Sequence, residues 1–393
     1  MTNKIVFTLL LLLLLLSCSH KKEGSKNESI LKINVDPLQS TDKDLTDILK
    51  NIRYIQLETS SNCLLNSISK IEIEKEKIFI FTSGRNGNLF CFDLNGKYLF
   101  SVGSQGNGPG EYVFLTDFYI DRKLNCIWVG DDARKILKYD LSGNFIEQYK
   151  VDFSINNLFP LPDDSESMAI RLGYYKDKNY SFVIYNLREN KITYAKEQIY
   201  EIERIVAQSS FFENRKDILY GAVFNDTIFR LSKEGLEPHI LIDFGKYTFS
   251  REKLGEKDSK QVIAEFLNPK NKYAGFVGAV YENSDFISFR YDFADERFLA
   301  IYSKKEKQTV SINKIRIENQ AFDAGMHFLQ SYRQGQYISS LPAHLLYEDE
   351  QIVENTQKRS YGHYTSLKEL KSNITEDSNP ILIIGEEKAV SLQ

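Results

Sequence analysis

Phe92-Asp93-Leu94-Asn95-Gly96-Lys97-Tyr98-Leu99 returns later in the chain as Tyr139-Asp140-Leu141-Ser142-Gly143-Asn144-Phe145-Ile146, at an offset of 47. It returns in worn form as Tyr185-Asn186-Leu187-Arg188-Glu189-Asn190-Lys191-Ile192, offset 46. Phe229-Arg230-Leu231-Ser232-Lys233-Glu234-Gly235-Leu236 continues it at offset 44, counted from 185 to 229. Each copy reads as a strand, a tight turn and a returning strand. Asn95-Gly96 and Ser142-Gly143 supply the positive φ that hairpin turns demand. Further strand signals lie between the copies at 77–81, 114–120 and 126–129. About four short strands per period of roughly 40 to 50 residues is the pattern of β-propeller blades. A two-layer sandwich gives no reason for a constant period. A propeller does, because every blade must run from the central channel to the rim and back.

Strand sets fall at 60–103, 104–150, 151–195, 200–245 and 272–315. A sixth is expected to be shared between 320–340, the last strand at 381–385 and an N-terminal strand, either 30–35 or 52–57. Such sharing closes the ring and removes exposed sheet edges. The expected fold is all-β, a six-bladed propeller over residues 30–393. Five blades are the alternative, because the last two copies have diverged. Two stretches break the period. Ser259 opens a run with Val262, Ile263, Phe266 and Leu267 on one face, stopped by Asn268-Pro269, which predicts a short amphipathic helix. A second helical stretch is expected from Pro342, with Leu345, Leu346 and the acidic Glu348-Asp349-Glu350. Such insertions either build a binding face or shield an edge.

The N-terminus has the three parts of an export signal: Lys4, an apolar run from Ile5 to Leu16 broken only by Thr8, and Leu15-Leu16-Ser17-Cys18 as a lipobox. The run is too short for a transmembrane span, which needs about 20 apolar residues. The expectation is a signal peptide at 1–17, lipidation of Cys18, and a polar tether at 18–29. The protein would then be an outer-membrane lipoprotein of the cell envelope on either the periplasmic or the surface face, with the lipid anchor as its membrane partner. A formal net charge of −4 and the lack of a dense basic tract give no sign of a nucleic-acid partner. The downstream cysteines, Cys63, Cys91 and Cys126, form no C-x-x-C pair and read as small buried hydrophobes.

The segment from Gly103 to Ile146 resembles an NHL-type repeat. It has a glycine-rich lead-in (103–112), then Asp117-Phe118-Tyr119-Ile120-Asp121, Ile127-Trp128-Val129-Gly130-Asp131, Lys135-Ile136-Leu137-Lys138-Tyr139-Asp140 and Ser142-Gly143. It departs from that pattern in lacking a Pro before the second strand and in having Arg134-Lys135-Ile136 where Asn-Arg-Ile is usual. The chain from Ile30 onward is more closely similar to six-bladed β-propeller lipoproteins of Bacteroidota. That likeness is carried by Ile52-Arg53-Tyr54-Ile55-Gln56-Leu57-Glu58-Thr59, Asn225-Asp226-Thr227-Ile228-Phe229 and Asn379-Pro380-Ile381-Leu382-Ile383-Ile384. The resemblance marks fold rather than activity. NHL-like lyases depend on histidines and a metal at the channel mouth, whereas His239, His327, His344 and His363 are scattered here.

No residue set declares a reaction. The loop 103–110 lacks the lysine and following helix of a phosphate loop and reads as an inter-blade turn. The pairs Asp131-Asp132, Asp163-Asp164 and Asp295-Glu296 have neighbours that would point to opposite faces of a strand. No metal site and no cofactor are expected. Aromatic clusters beside polar residues are the candidate ligand-binding positions: Tyr174, Tyr175, Tyr291, Tyr361, His363 and Tyr364. Rings stacked on sugar faces build many carbohydrate sites, although aromatics also fill propeller cores. Two functional readings are open: a non-catalytic propeller that binds a glycan or partner protein, or a hydrolase or lyase acting on a sugar or lactone at the channel mouth.

Overall fold

A computed structural model describes residues 30–84, 87–162, 164–176, 178–199, 210–214, 217–222, 224–249, 257–333, 335–347 and 360–388. The expected leader at 1–17, Cys18, the tether up to residue 29, Asp163 and Glu348-Asp349-Glu350 lie outside them. The described residues from Leu31 onward form one compact unit.

That unit is a β-propeller. Five blades are each built from four consecutive antiparallel strands. Blade 1 holds Ile68–Glu74, Lys77–Thr82, Leu89–Asp93 and Tyr98–Ser101. Blade 2 holds Leu115–Asp121, Cys126–Asp131, Lys135–Asp140 and Phe145–Lys150. Blade 3 holds Phe153–Leu161, Asp164–Tyr175, Tyr180–Asn186 and Lys191–Glu197. Blade 4 holds Phe211–Glu213, Ile218–Tyr220, Thr227–Ser232 and Gly235–Asp243. Blade 5 holds Ala274–Glu282, Phe286–Phe293, Glu296–Ser303 and Gln308–Ile317.

The expectation of six blades is corrected here: five are continuous in sequence. The remaining sheet is a composite of Ser331–Arg333, Gln336–Leu341, Ile381–Glu387, Leu49–Gln56 and Gly362–Tyr364, in that spatial order. Its middle pairing joins the two ends of the chain, with Arg53 opposite Ile384 and Gln56 opposite Ile381. Of the two candidate N-terminal strands, the one near 52–57 therefore enters this sheet. The other, Leu31–Asn34, instead runs parallel to the last strand of blade 4, with Leu31 opposite Ile240. Ser40–Asp44 does the same for blade 5. The N-terminal segment thus covers the outer edges of two blades before it enters the composite sheet, which removes two open templates for strand addition.

Burial follows from this arrangement. A strand in the middle of a blade has a neighbouring sheet on both faces, so it reads as a continuous apolar run rather than an alternation. Cys126–Asp131 and Phe153–Leu161 are buried at every position, whereas the rim strand Phe145–Lys150 is not. Six hydrophobic clusters lie between adjacent sheets. One joins blades 1 and 2 through Phe79, Phe81, Phe118 and Val129. Others join blades 2 and 3, 3 and 4, and 4 and 5. The last two flank the composite sheet: Leu341 and Ile383 against Leu299 and Ile312 of blade 5, and Ile338 and Leu382 against Ile71 and Ile80 of blade 1. The three described cysteines are buried and free, and burial pushes the Cys91 and Cys126 thiols up to about 12.

The repeated phrase is the outer hairpin of each blade. Asp93 Oδ1 accepts from the Asn95 and Lys97 amides at 2.8 and 2.9 Å. Asp140 Oδ1 repeats this with Ser142 and Asn144 at the same two distances. Only the glycines take positive φ, Gly96 at 85° and Gly143 at 83°; Asn95 and Ser142 do not. A register shift sits beside each turn, at Cys91/Phe92 and Lys138/Tyr139. That is the signature of a bulged loop rather than a two-residue turn. At Gly96 a Cβ would also lie 2.2 Å from the Gln56 carbonyl oxygen, so the turn seats directly on the composite sheet.

The helix expected near 259 is present as Ser259–Phe266, with the Asp258 side chain accepting from the Gln261 amide at 2.9 Å. Phe266 packs on Phe224 and Phe249. The stretch from Pro342 forms a single 3-10 turn, Ala343–Leu345. Among the described residues no helix is long and apolar enough to cross a membrane.

Two contacts across sheets give tests. Buried Asn379 accepts from the Leu65 amide at 2.8 Å and donates to the carbonyls of Glu58 and Cys63 at 2.6 and 2.8 Å. Truncation to Ala strands these groups, so Asn379→Ala should cost roughly 2–4 kcal/mol. A urea titration checks this, and a loss below about 0.5 kcal/mol would refute the clamp.

Glu282 of blade 5 meets His239 of blade 4 at 2.9 Å and accepts from Lys304 at 2.7 Å. Burial acts to raise the Glu282 carboxyl, but these partners outweigh it and hold it at about 2. Its folded value lies below an unfolded value of about 4.3. Its stabilisation is therefore complete above that unfolded value and is lost as pH falls towards 2. Glu282→Gln should remove roughly 1–3 kcal/mol at neutral pH and less at pH of about 3. Unfolding curves across that range read the difference.

Candidate functional site

The six aromatic and histidine positions singled out in the sequence do not form one surface. Tyr174 and Tyr175 end the second strand of blade 3. Tyr174 is exposed, while the Tyr175 hydroxyl donates to Asp152 at 3.0 Å. Tyr291 is fully buried, stacked on Phe298 at 5.2 Å with its hydroxyl donating to Ser311 at 2.9 Å. Tyr364 is equally buried, and its hydroxyl donates to Gln56 at 3.0 Å. Neither ring offers a face to a ligand, which corrects the expectation for these two. His363 is exposed on the outermost strand of the composite sheet, and Tyr361 precedes that strand. The set is divided among blade 3, blade 5 and the composite sheet.

Two hollows lie elsewhere: one between blades 2, 3 and 4, walled by Tyr119, Arg122, Phe159 and Glu213, and a larger one on the channel axis. The first strand of each blade, together with Ser331–Arg333, lines the channel. At the end where these strands begin is a cavity of about 390 Å³, walled by Ser69, Lys70, Thr116, Asp117, Asn157, Arg290, Arg297 and Gln330 among others. A narrower extension of about 60 Å³ continues along the axis past Tyr281 and Arg290 towards Glu72 and Glu213.

Polar groups from different blades interlock in the cavity wall. Lys70 of blade 1 donates to Asp117 of blade 2 at 3.0 Å and to the Phe118 carbonyl at 2.6 Å. Asp117 also accepts from its neighbour's amide at 2.9 Å, and from the Asn157 side chain and the Leu158 amide of blade 3, both at 3.3 Å. Asn157 in turn accepts from Ser210 at 3.3 Å. Both Asp117 carboxylate oxygens are thus engaged by protein donors.

Arg290 is the exception. It stands on the second strand of blade 5, opposite Gly278 of the first. Register shifts flank Gly278, and Ala279 takes φ of 47°, so the inner strand bulges. Bulges re-aim side chains, and Arg290 lines both the cavity and its extension. It is 8% exposed. Its one hydrogen bond among the described residues runs from Nη1 to the Gly325 carbonyl at 3.4 Å, and Nε has no partner. No carboxylate among those residues lies within ion-pairing distance of it. Burial lowers its guanidinium to about 10. The adjacent Arg297, by contrast, is held by Asp292 at 2.6 and 3.0 Å.

Charged groups converge at the other end of the channel, where Arg122 and Glu213 also wall a second hollow of about 290 Å³. Arg122 contacts Glu72, Glu74 and Glu213 at 2.9, 2.8 and 3.1 Å. Arg333 of the composite sheet reaches Glu213 at 3.3 Å and Glu74 at 3.9 Å. Burial acts to lower the Arg122 guanidinium, but Glu72 and Glu213 outweigh it and raise it above its ordinary value. Burial raises the Glu213 carboxyl despite both arginines. Among the described residues no three His, Cys, Asp or Glu side chains converge as metal ligands.

Sequence reasoning passed over the cavity residues because no local motif joins them: Lys70, Asp117, Asn157 and Arg290 come from four different blades. A signal was nevertheless present. Lys70 and Asp117 stand 47 residues apart at matching places on the first strands of blades 1 and 2, the same offset as between the first two hairpin copies.

The family model described as "Domain of unknown function (DUF4934)" matches residues 30–386. A solved structure from Bacteroides fragilis NCTC 9343, of a protein assigned as exported, superposes with TM-score 0.71 at 19% identity, covering 92% of this chain and 100% of that one. The β-propeller domain of Myceliophteria thermophila Cps50 (Swd1) matches at TM-score 0.41 and 8% identity, over 73% of this chain and 95% of that one. No curated protein matches. With its match running from the first rim strand through the last strand of the composite sheet, this chain belongs to the DUF4934 family.

Proposed function

We propose that this chain is a binding protein of the cell envelope, held to a membrane through lipid on Cys18, whose propeller receives a ligand in its axial cavity. In this reading the channel's charged end is its floor. The ligand is a glycan, or a polar group presented by a partner protein. Placement in the outer membrane rests on the lipobox and on the likeness to an exported protein.

The observation that carries the reading is the cavity itself: about 390 Å³ of concave space walled by polar side chains from several sheets. That is the size and lining of small-molecule sites, which combine a shaped hollow with a few fixed polar groups. Binding is better supported than hydrolysis or lysis. Asp117, Glu72 and Glu213, the carboxylates along the axis, are each engaged by a cation. The exposed Tyr174 and His363 lie on separate sheets and contribute at most to partner contact at the rim.

The test is to fill the hollow. Ser69 lines the cavity and, among the described residues, its side chain bonds only to the Ser83 hydroxyl, at 2.7 Å, so Ser69→Trp should occupy the space without breaking the core. Thermal shift against a panel of neutral and acidic mono- and disaccharides should give stabilisation in the wild type that disappears in the filled variant. Shifts that survive in Ser69→Trp would place binding elsewhere and overturn the reading.

A further inference from the structure

We infer that the axial cavity takes a small monoanionic ligand through its carboxylate, with Arg290 as the counter-ion. This rests on the cavity being the binding site, as proposed above.

The argument begins with charge. Three cations line the cavity: Lys70, Arg290 and Arg297. Lys70 is matched by Asp117 and Arg297 by Asp292, which leaves a formal excess of one positive charge on Arg290. Burying an ion without a partner costs several kcal/mol even after relaxation, and an anion entering the cavity offsets that cost. The opposite end of the channel carries three glutamates against two arginines, so an anion is drawn to the Arg290 end and repelled from the other.

Geometry points the same way. A guanidinium has five N–H donors in a fixed fork that matches two oxygens of a planar acid. Arg290 uses one of them, in a long bond to the Gly325 carbonyl. Its Nε has no partner among the described residues, which is unusual because buried polar atoms are nearly always satisfied. The single excess charge matches a carboxylate better than a dianionic phosphate. The cavity has room beside the acid group for the ring of a sugar acid.

Calorimetric titration of the full-length protein in detergent tests this with four probes: acetate, D-glucuronate, D-glucose and D-glucose 6-phosphate, at matched ionic strength. Expected is binding of D-glucuronate, with acetate weaker but measurable and glucose at least about tenfold weaker than glucuronate. Acetate equal to glucuronate would mean that the free carboxylate is the whole determinant. A large gap would assign the remainder to the sugar ring. Both outcomes support the inference.

Arg290→Gln should abolish the preference for acid over neutral sugar, and Arg290→Lys should restore part of it. Should Arg290→Gln not fold, the Lys variant and the wild-type ranking still decide. Glucose binding as tightly as glucuronate, unchanged in Arg290→Gln and lost in Ser69→Trp, overturns the inference while the cavity reading stands. Tighter binding of the 6-phosphate than of glucuronate likewise overturns the carboxylate assignment. Acid binding that persists in Ser69→Trp overturns both.

Discussion

The antiparallel pairing of Leu49–Gln56 with Ile381–Glu387 is the constraint on which the rest of the molecule depends. A ring of sheets has no open edge only if its last member borrows a strand from the beginning of the chain. Here the borrowed strand arrives after the N-terminal segment has edged blades 4 and 5. Asn379 then locks the entry, holding residues 58–65 against the start of the last strand. Without that pairing the composite sheet loses its middle. The hydrophobic clusters on either side of it, which bind it to blades 5 and 1, would be opened to water.

Closure also fixes the channel. Lys70, Asp117 and Asn157 come from three successive blades and meet only because the ring sets the distance between their first strands. The Arg122–Glu213–Arg333 cluster needs blades 2 and 4 and the composite sheet together. Charge is thereby sorted along the axis, with net positive character around the cavity and net negative character at the floor. An apolar residue at the Arg290 position would relieve the burial cost. In the proposed reading the cation is a ligand contact rather than a structural one.

Much of this was legible in the sequence. The 47-residue return of Phe92–Leu99 identified the outer hairpins because their Asp and Gly are fixed by local turn geometry, which each hairpin must satisfy alone. The five continuous blades follow from that period. The composite sheet was foreseen only in outline, since its register is decided by contacts between residues more than 300 positions apart. The site was read less well. Tyr291 and Tyr364 looked like loop aromatics, yet sheet packing on both faces makes them core. Arg290 gave no local sign at all: it matters because it lines the cavity beside a bulge in the neighbouring strand and, among the described residues, pairs with no carboxylate.

The central claim is that a ligand's acid group sits against Arg290 inside the propeller. A crystal structure grown with D-glucuronate tests it most directly. The account predicts ordered density in the axial cavity with carboxylate oxygens about 3 Å from the Arg290 guanidinium nitrogens. Ligand ordered on an outer loop or blade edge, with Arg290 still lacking an anionic partner, would contradict it.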